Sequence, residues 1–340
     1  MHPKKPGRRT MVFAAPPAVV SFGNCVGKKE GEGPLGQRFD TVAPDDTFGQ
    51  PTWEKAERAM LRRALTNALG KHKLEAGQLD FLYAGDLLNQ CISAGYAARG
   101  LDVPFFGLYG ACSTMGESLI LAAMALDGGF GTLAAAAASS HFCSAERQYR
   151  TPLEYGGQRT PTAQWTVTGA GAVILGHGGP GPFVTHATVG VVTDLGIKDP
   201  NNMGAAMAPA AADTVAAHLE ETGRSPGFYD LIVTGDLGAL GSELFLDLLE
   251  ARGITLSNHA DCGCMIFDRR RQDVHSGGSG CGCCASVLTA LLLPGLRAGK
   301  WERILFCPTG ALHSPTATFQ GESIPGICHA VALSGRKEET

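Results

Sequence analysis

Apolar and polar positions along the chain follow two rhythms, and their order predicts an alternation of buried strands and helices. In the first part, Val19–Val26 reads as a strand. Thr52–Leu69 reads as an amphipathic helix, with Ala56, Ala59, Met60, Ala64 and Leu65 on its apolar face. Phe81–Ala84 is a short buried strand that ends in Gly85-Asp86-Leu87. A helix over 92–99 and a strand at Phe105–Leu108 follow. The apolar stretch opening at Leu119 then predicts a buried helix that starts near Cys112, and further strands are expected at Thr132–Ala138 and Ala170–Leu175.

The second part repeats this order. Strands are expected at Phe183–Val192, Leu231–Thr234, Ile304–Cys307 and Cys328–Leu333. Helices are expected at Ala205–Glu221, Leu244–Ala251 and Cys283–Leu293. Leu79-Asp80-Phe81-Leu82-Tyr83-Ala84-Gly85-Asp86-Leu87 matches Tyr229-Asp230-Leu231-Ile232-Val233-Thr234-Gly235-Asp236-Leu237, and the spacing from Cys112 to Leu133 equals that from Cys283 to Ile304. These features indicate an internal duplication of an α/β unit, with halves at 1–178 and 179–340. Packed sheet to sheet, two such halves make a five-layered α/β/α/β/α arrangement. The helices after Cys112 and Cys283 are then the central pair, because both are apolar on all sides. Strand ends and central helix starts would converge on one pocket between the halves.

Composition narrows the function classes. The 340 residues are 44% hydrophobic and 18% charged, with a net charge of −4. That balance lacks the basic face of a nucleic-acid binder. The longest uncharged apolar stretch, Ala285–Leu296, contains Pro294 and is shorter than the ~20 residues of a spanning helix. No signal-peptide apolar region follows the basic start, which contains His2, Lys4, Lys5, Arg8 and Arg9 and reads as a solvated tail. Eleven cysteines do not suit a secreted disulfide framework, and the expectation is reduced thiols that pack as small apolar side chains.

Candidate chemistry centres on Gly107-Leu108-Tyr109-Gly110-Ala111-Cys112-Ser113-Thr114-Met115-Gly116-Glu117-Ser118. A cysteine here sits at the start of a buried helix, where unpaired N–H groups and the helix dipole favour an anion. Such a site either activates a thiol as a nucleophile or holds a ligand carboxylate. Cys262-Gly263-Cys264 and Cys281-Gly282-Cys283-Cys284 lack the usual spacing of a zinc site, so no metal centre is expected.

The duplication, the cysteine at a central helix start and Thr168-Gly169-Ala170-Gly171-Ala172-Val173-Ile174-Leu175 resemble the thiolase and ketoacyl-synthase III superfamily. Within it, four stretches resemble the stage V sporulation protein AD family. They are Asp86-Leu87-Leu88-Asn89-Gln90, Gly110 to Leu119, Asp273 to Cys283, and Phe319 to Ile327. The resemblance spans about Val19 to Leu333. It implies a thiolase-like fold and a spore protein that binds dipicolinic acid (pyridine-2,6-dicarboxylate). That protein would take part in dipicolinate uptake during sporulation and release at germination, with calcium accompanying the ligand and no other cofactor. It further implies a homodimer, other stage V sporulation membrane proteins as partners, and a cytoplasmic or forespore location at the periphery of the spore inner membrane.

By that resemblance Cys112 stands at the superfamily's acyl-accepting position. The ketosynthase III branch carries a histidine just after the strand that here is Leu231–Thr234, and this chain has Asp236. A carboxylate there repels a thiolate and cannot donate to an oxyanion unless protonated, so condensation chemistry is not expected. The alternative is an acyltransferase or condensing enzyme with Cys112, His275 and His313 as its catalytic set. For dipicolinate, the helix start at Cys112 offers donors to one carboxylate, and Arg147, Arg150 or Arg159 offers a guanidinium to the other. Tyr149, Tyr155 or Trp165 would cover the ring. The expected pocket set is Cys112, His141, Arg147, Trp165, Asp236, His275 and His313.

Overall fold

The computed structural model describes residues 4–149 and 159–337. Arg150, Tyr155 and His2 lie outside the described residues.

Ten strands carry the architecture. They are β1 (Ala18–Val26), β2 (Phe81–Gly85), β3 (Phe105–Leu108), β4 (Leu133–Ser140), β5 (Gly169–Gly176), β6 (Phe183–Thr188), β7 (Leu231–Thr234), β8 (His259–Asp261), β9 (Arg303–Cys307) and β10 (Ala330–Ser334). The first five lie in the order β3-β2-β4-β5-β1 and the second five in the order β8-β7-β9-β10-β6. The sense of pairing repeats as well. β2 is parallel to β3 and β4, and β5 is antiparallel to β4 and β1. Likewise β7 is parallel to β8 and β9, and β10 is antiparallel to β9 and β6. The two ladders join where Ala18 of β1 pairs with Phe183 of β6.

Helices fill three layers around these strands: α1 (Trp53–Gly70), α2 (Ile92–Ala98), α3 (Thr114–Asp127), α4 (Phe142–Tyr149), α5 (Met203–Thr222), α6 (Gly238–Glu250) and α7 (Cys281–Val287). The period-2 alternation of a strand decides which layer each side chain joins. In β4, Ala135 and Ala137 pack outward with Met60, Leu65 and Ala68 of α1. Ala134, Ala136 and Ala138 pack inward with Met115 and Leu119 of α3 and Ala285 of α7. In β9, Ile304 and Phe306 face the same central layer, and Leu305 and Cys307 face Ala211 of α5 and Phe245 of α6. The two five-stranded halves of this continuous sheet, with three helical layers, give the five-layered α/β/α/β/α fold.

Small residues set the spacing of these layers. A Cβ on Gly171 of β5 would come within 2.3 Å of the Ala285 carbonyl oxygen, and one on Gly23 of β1 within 2.4 Å of the Ala68 nitrogen. Both helices therefore lie nearer the sheet than any side chain allows.

Several element ends differ from expectation. α6 starts at Gly238, six residues before Leu244, because the Asp261 carboxylate accepts the N–H groups of Leu237 and Gly238 at 2.9 and 3.0 Å. That cap comes from a distant strand and leaves no local signal. The second central helix starts at Cys281 and passes through a π-helical turn at Leu288–Leu292, just before Pro294. Proline cannot donate to the preceding turn, so the backbone widens there. The expected strand at Cys328–Leu333 divides in two. Gly326–Cys328 pairs with Thr309–Ala311, and β10 joins the main sheet.

The basic N-terminal segment is not a solvated tail among the described residues. Thr10–Val12 forms a strand antiparallel to β6. The Glu221 carboxylate accepts the N–H groups of Arg8, Arg9 and Thr10. Arg9 pairs with Asp213 at 2.6 Å and Lys4 with Asp127 at 2.7 Å. The basic residues find fixed carboxylates on α5 and at the end of α3.

Candidate functional site

The chain from β3 enters α3 through a tight turn at Gly110-Ala111-Cys112-Ser113. Ala111 takes a left-handed backbone at φ 49°. The Ser113 hydroxyl donates to the Gly110 carbonyl at 2.7 Å, and the Thr114 hydroxyl to that of Ala111 at 2.7 Å. These local bonds hold the turn and leave Cys112 buried, with its Sγ 4.0 Å from the Ser279 hydroxyl. Ser279 lies just before α7, so the two central helix starts meet at this point.

Asp236 organises the meeting. It follows β7 and is fully buried. Its Oδ2 accepts the Ser279 hydroxyl at 3.1 Å and the Gly280 N–H at 2.9 Å, and its Oδ1 accepts the Thr309 hydroxyl at 2.7 Å. One carboxylate thereby ties together the segments after β7, before α7 and after β9.

The electrostatics disfavour a thiolate. Burial, followed by the Asp236 charge, pushes the Cys112 thiol well above its ordinary range. Burial also raises Asp236, opposed by its bonds to Thr309, Cys112, Gly280 and Ser279. With the thiol the weaker acid of the two, the proton rests on sulfur and Cys112 donates to the carboxylate. A helix-start cysteine is ordinarily activated, and here burial, together with the adjacent carboxylate, reverses that effect.

Two tyrosines lie near the cysteine, and a histidine stands beside one of them. The Tyr149 hydroxyl donates to the Leu87 carbonyl, and the Tyr109 hydroxyl donates to Tyr149 at 3.0 Å. Burial raises the pKa of both phenols. The His313 ring stands 5.4 Å from that of Tyr149, and its Nε2 is 3.0 Å from the Thr318 hydroxyl. Burial lowers its pKa and favours neutral imidazole.

The structure gathers Cys112, Asp236 and, through Tyr149, His313. It gives the other expected pocket residues different partners. His275 has a left-handed backbone at φ 50°, and its Nε2 lies 3.1 Å from an Asp273 oxygen. Among the described residues no histidine is hydrogen-bonded to Cys112. His141 is buried and uses both ring nitrogens. Nδ1 accepts the Cys143 N–H at 3.1 Å and Nε2 donates to the Asp46 carbonyl at 2.7 Å. Arg147 pairs with Glu54 and borders a surface cleft against α1. Trp165 stacks on Phe142 with ring centres 3.7 Å apart, and the Lys29 ammonium sits 3.3 Å from its ring centre.

Sequence reasoning missed Ser279, Thr309 and Tyr109 as members of the centre. Thr309 had a usable signal. It stands as close behind β9 as Asp236 does behind β7, and neighbouring parallel strands place such positions side by side. The cysteines of the two close-spaced clusters are free thiols whose pKa values burial raises. No group of three or more His, Cys, Asp or Glu among the described residues is arranged to hold a metal ion.

Residues 7–334 match the family model of stage V sporulation protein AD. Stage V sporulation protein AD of Bacillus subtilis (strain 168) is 47% identical over 332 residues, covering 97% of this chain and 98% of that protein. Among solved structures, 3-oxoacyl-[acyl-carrier-protein] synthase III from Aquifex aeolicus VF5 superposes with a TM-score of 0.56 at 15% identity, covering 94% of this chain and 99% of that one. The cerulenin-bound OleA of Xanthomonas campestris superposes with a TM-score of 0.61 at 14% identity, covering 95% and 98%. At these identities the structural likeness establishes the fold alone, which is thiolase-like.

Proposed function

This chain belongs to the stage V sporulation protein AD family, and from that premise we propose that it is a dipicolinate-binding protein that has given up condensation chemistry. The observation that carries this reading is the Asp236 carboxylate beside Cys112. Acyl transfer needs a thiolate and donors for an oxyanion. This centre holds a protonated thiol against an acceptor. Dipicolinate as the ligand is carried by the family to which the chain belongs rather than by the charge of this centre, where Asp236 already holds the Gly280 N–H and the Ser279 and Thr309 hydroxyls. In this reading the protein serves dipicolinate uptake during sporulation and release at germination, at the face of the spore inner membrane beside membrane-embedded stage V partners, and calcium travels with the ligand.

The protein acts as a homodimer in the same reading. The outer edge of β3 has no strand partner among the described residues, and Phe106 on that strand is half exposed. An open edge of this kind pairs readily with a second copy. Sedimentation should give a dimer, and Phe106→Glu should shift it toward monomer. A monomeric wild type would overturn this part.

Calorimetric titration with dipicolinic acid, with and without calcium, tests the main proposal. Saturable binding by the wild type, weakened in Cys112→Ala, is expected. Absence of binding together with acylation of Cys112 by an acyl-CoA would replace it with the acyltransferase reading.

A further inference from the structure

The N-terminal strand Thr10–Val12 rests on a line of buried polar groups that the Cys112 centre does not use. Thr10, Thr188 and His218 are fully buried. The hydroxyls of Thr10 and Thr188 share a hydrogen bond at 2.8 Å, across a directly opposed pair of this strand and β6. Thr188 bonds in turn to Nδ1 of His218 on α5 at 2.7 Å, and Nε2 of that ring bonds to the Tyr229 hydroxyl at 2.5 Å. Arg224 donates to the same hydroxyl at 3.0 Å and to Nε2 of His186 at 3.4 Å. His186 stands opposite Val12 in the strand register. Two histidines thus lie against the seat of the N-terminal strand, linked by one guanidinium.

Neither ring has a place for a second proton. His186 accepts from Arg224 at Nε2, and its Nδ1 is buried with no hydrogen-bond partner among the described residues. A protonated His218 would set another cation near Arg224 in a dry interior. The surrounding elements offer little relief. β10 faces His186 with Ala332 and carries no titratable side chain. Arg9 of the N-terminal segment and Arg252 both pair with Asp213 of α5. Glu221 of α5 favours charge on His218, but its carboxylate already accepts the N–H groups of Arg8, Arg9 and Thr10. Burial, then His186 and Arg224, push His218 down to about 3, and burial, then Arg224, push His186 down to about 4.

The strand itself is a shallow attachment. It is three residues long, and Met11 and Val12 are half-buried. Beyond its ladder, the segment is held by Glu221, by the Arg9 and Lys4 ion pairs and by the Phe13 N–H, which donates to the Thr185 carbonyl at 3.0 Å.

We propose that the N-terminal segment is an acid-released strap: lifting Thr10–Val12 from β6 lets water reach His218 and His186, and their protonation holds the strap open. With the strap closed both rings stay neutral far into the acid range. With it lifted they return toward their ordinary 6.5. The lifted state binds protons that the closed state refuses, so opening gains as pH falls below about 6.5. Glu221 acts at lower pH. Against its burial, the bonds from Thr10, Arg9 and Arg8 hold its carboxyl below the ordinary 4.5, so its grip is lost only beneath that value. The interval from about 6.5 to about 4.5 belongs to the histidines.

Hydrogen exchange read by mass spectrometry, corrected for the intrinsic pH dependence of exchange, tests the strap. Protection of residues 4–13 should fall about 20-fold between about pH 7 and about pH 5, while peptides from β4 and α3 keep theirs. His218→Gln should flatten that dependence. Glu221→Gln should loosen the segment at both pH values and leave the dependence in place, which separates the histidines from the carboxylate. The proposal is overturned if the wild-type segment keeps its protection at about pH 5, if all peptides lose protection together, or if folded H218Q retains the full dependence. The first two outcomes need wild type alone, so the test stands even where a variant fails to fold.

Discussion

The Thr309 hydroxyl donates to the Asp236 carboxylate at 2.7 Å, across the ends of two adjacent parallel strands. This bond joins the segments that follow β7 and β9. Through the other carboxylate oxygen it reaches the start of α7.

Removing the acceptor should therefore cost more than removing one donor. Asp236→Ala leaves the Ser279 hydroxyl, the Gly280 N–H and the Thr309 hydroxyl without their partner in a dry interior. A loss of about 2–4 kcal/mol is expected, against about 1 kcal/mol for Thr309→Ala. Urea unfolding of the two variants measures the difference, and equal losses would contradict the central role of Asp236.

Cys112 should react slowly with alkylating agents at neutral pH, since burial and Asp236 both hold the proton on sulfur. Asp236→Asn removes the charge while keeping a polar group of the same shape. Each pKa unit recovered should raise the thiolate fraction about tenfold, so labelling by iodoacetamide, followed by mass spectrometry, should speed up. Rapid labelling of the wild-type thiol would refute the electrostatic argument.

The contribution of Glu30 to stability should fall as pH rises from about 4.5 to about 8. Burial pushes Glu30 up to about 8 from an ordinary 4.5, although its Oε1 accepts the Thr168 N–H. Between those two values the folded protein holds a proton that the unfolded chain releases. The stabilisation is complete below about 4.5 and is lost as pH climbs through about 8. Glu30→Gln should flatten the slope of melting temperature against pH over this window. An unchanged slope would assign the dependence to other groups.

Gly171→Ala should be among the most damaging single changes in the chain. The new methyl would lie 2.3 Å from the Ala285 carbonyl oxygen, and neither the sheet nor the central helix yields easily. A loss of about 3 kcal/mol or failure to fold is expected. Thermal melting decides, and a wild-type melt would show that α7 moves aside.

Glu221→Ala should release the N-terminal segment while sparing the core. Three backbone N–H groups would lose their acceptor. Limited proteolysis should then cut within residues 4–13 much faster than in wild type. Equal cutting would show that the Arg9–Asp213 and Lys4–Asp127 pairs suffice.

Most of the layered fold was legible because strand burial is local in sequence. Phe105–Leu108 and Leu231–Thr234 occur where their apolar runs stand, and the repeat of Gly-Asp-Leu after two of the strands foretold a duplicated unit. Element ends held by distant groups were not legible. The start of α6 depends on Asp261, and the fixing of Arg8 to Thr10 depends on Glu221. A carboxylate that caps another element leaves no mark near the backbone it satisfies.

The same distinction runs through the candidate site. Sequence alone determined that Cys112 opens a buried helix and that Asp236 stands after the strand Leu231–Thr234, because both follow from short patterns. Only the tertiary structure decided that Asp236 faces Cys112, Ser279 and Thr309, that His275 turns to Asp273, and that Arg147 belongs to a separate cleft. Burial and strand order are written in neighbouring residues. Which polar groups meet is set by packing between segments far apart in the chain, and the energies of a buried charge depend on that meeting.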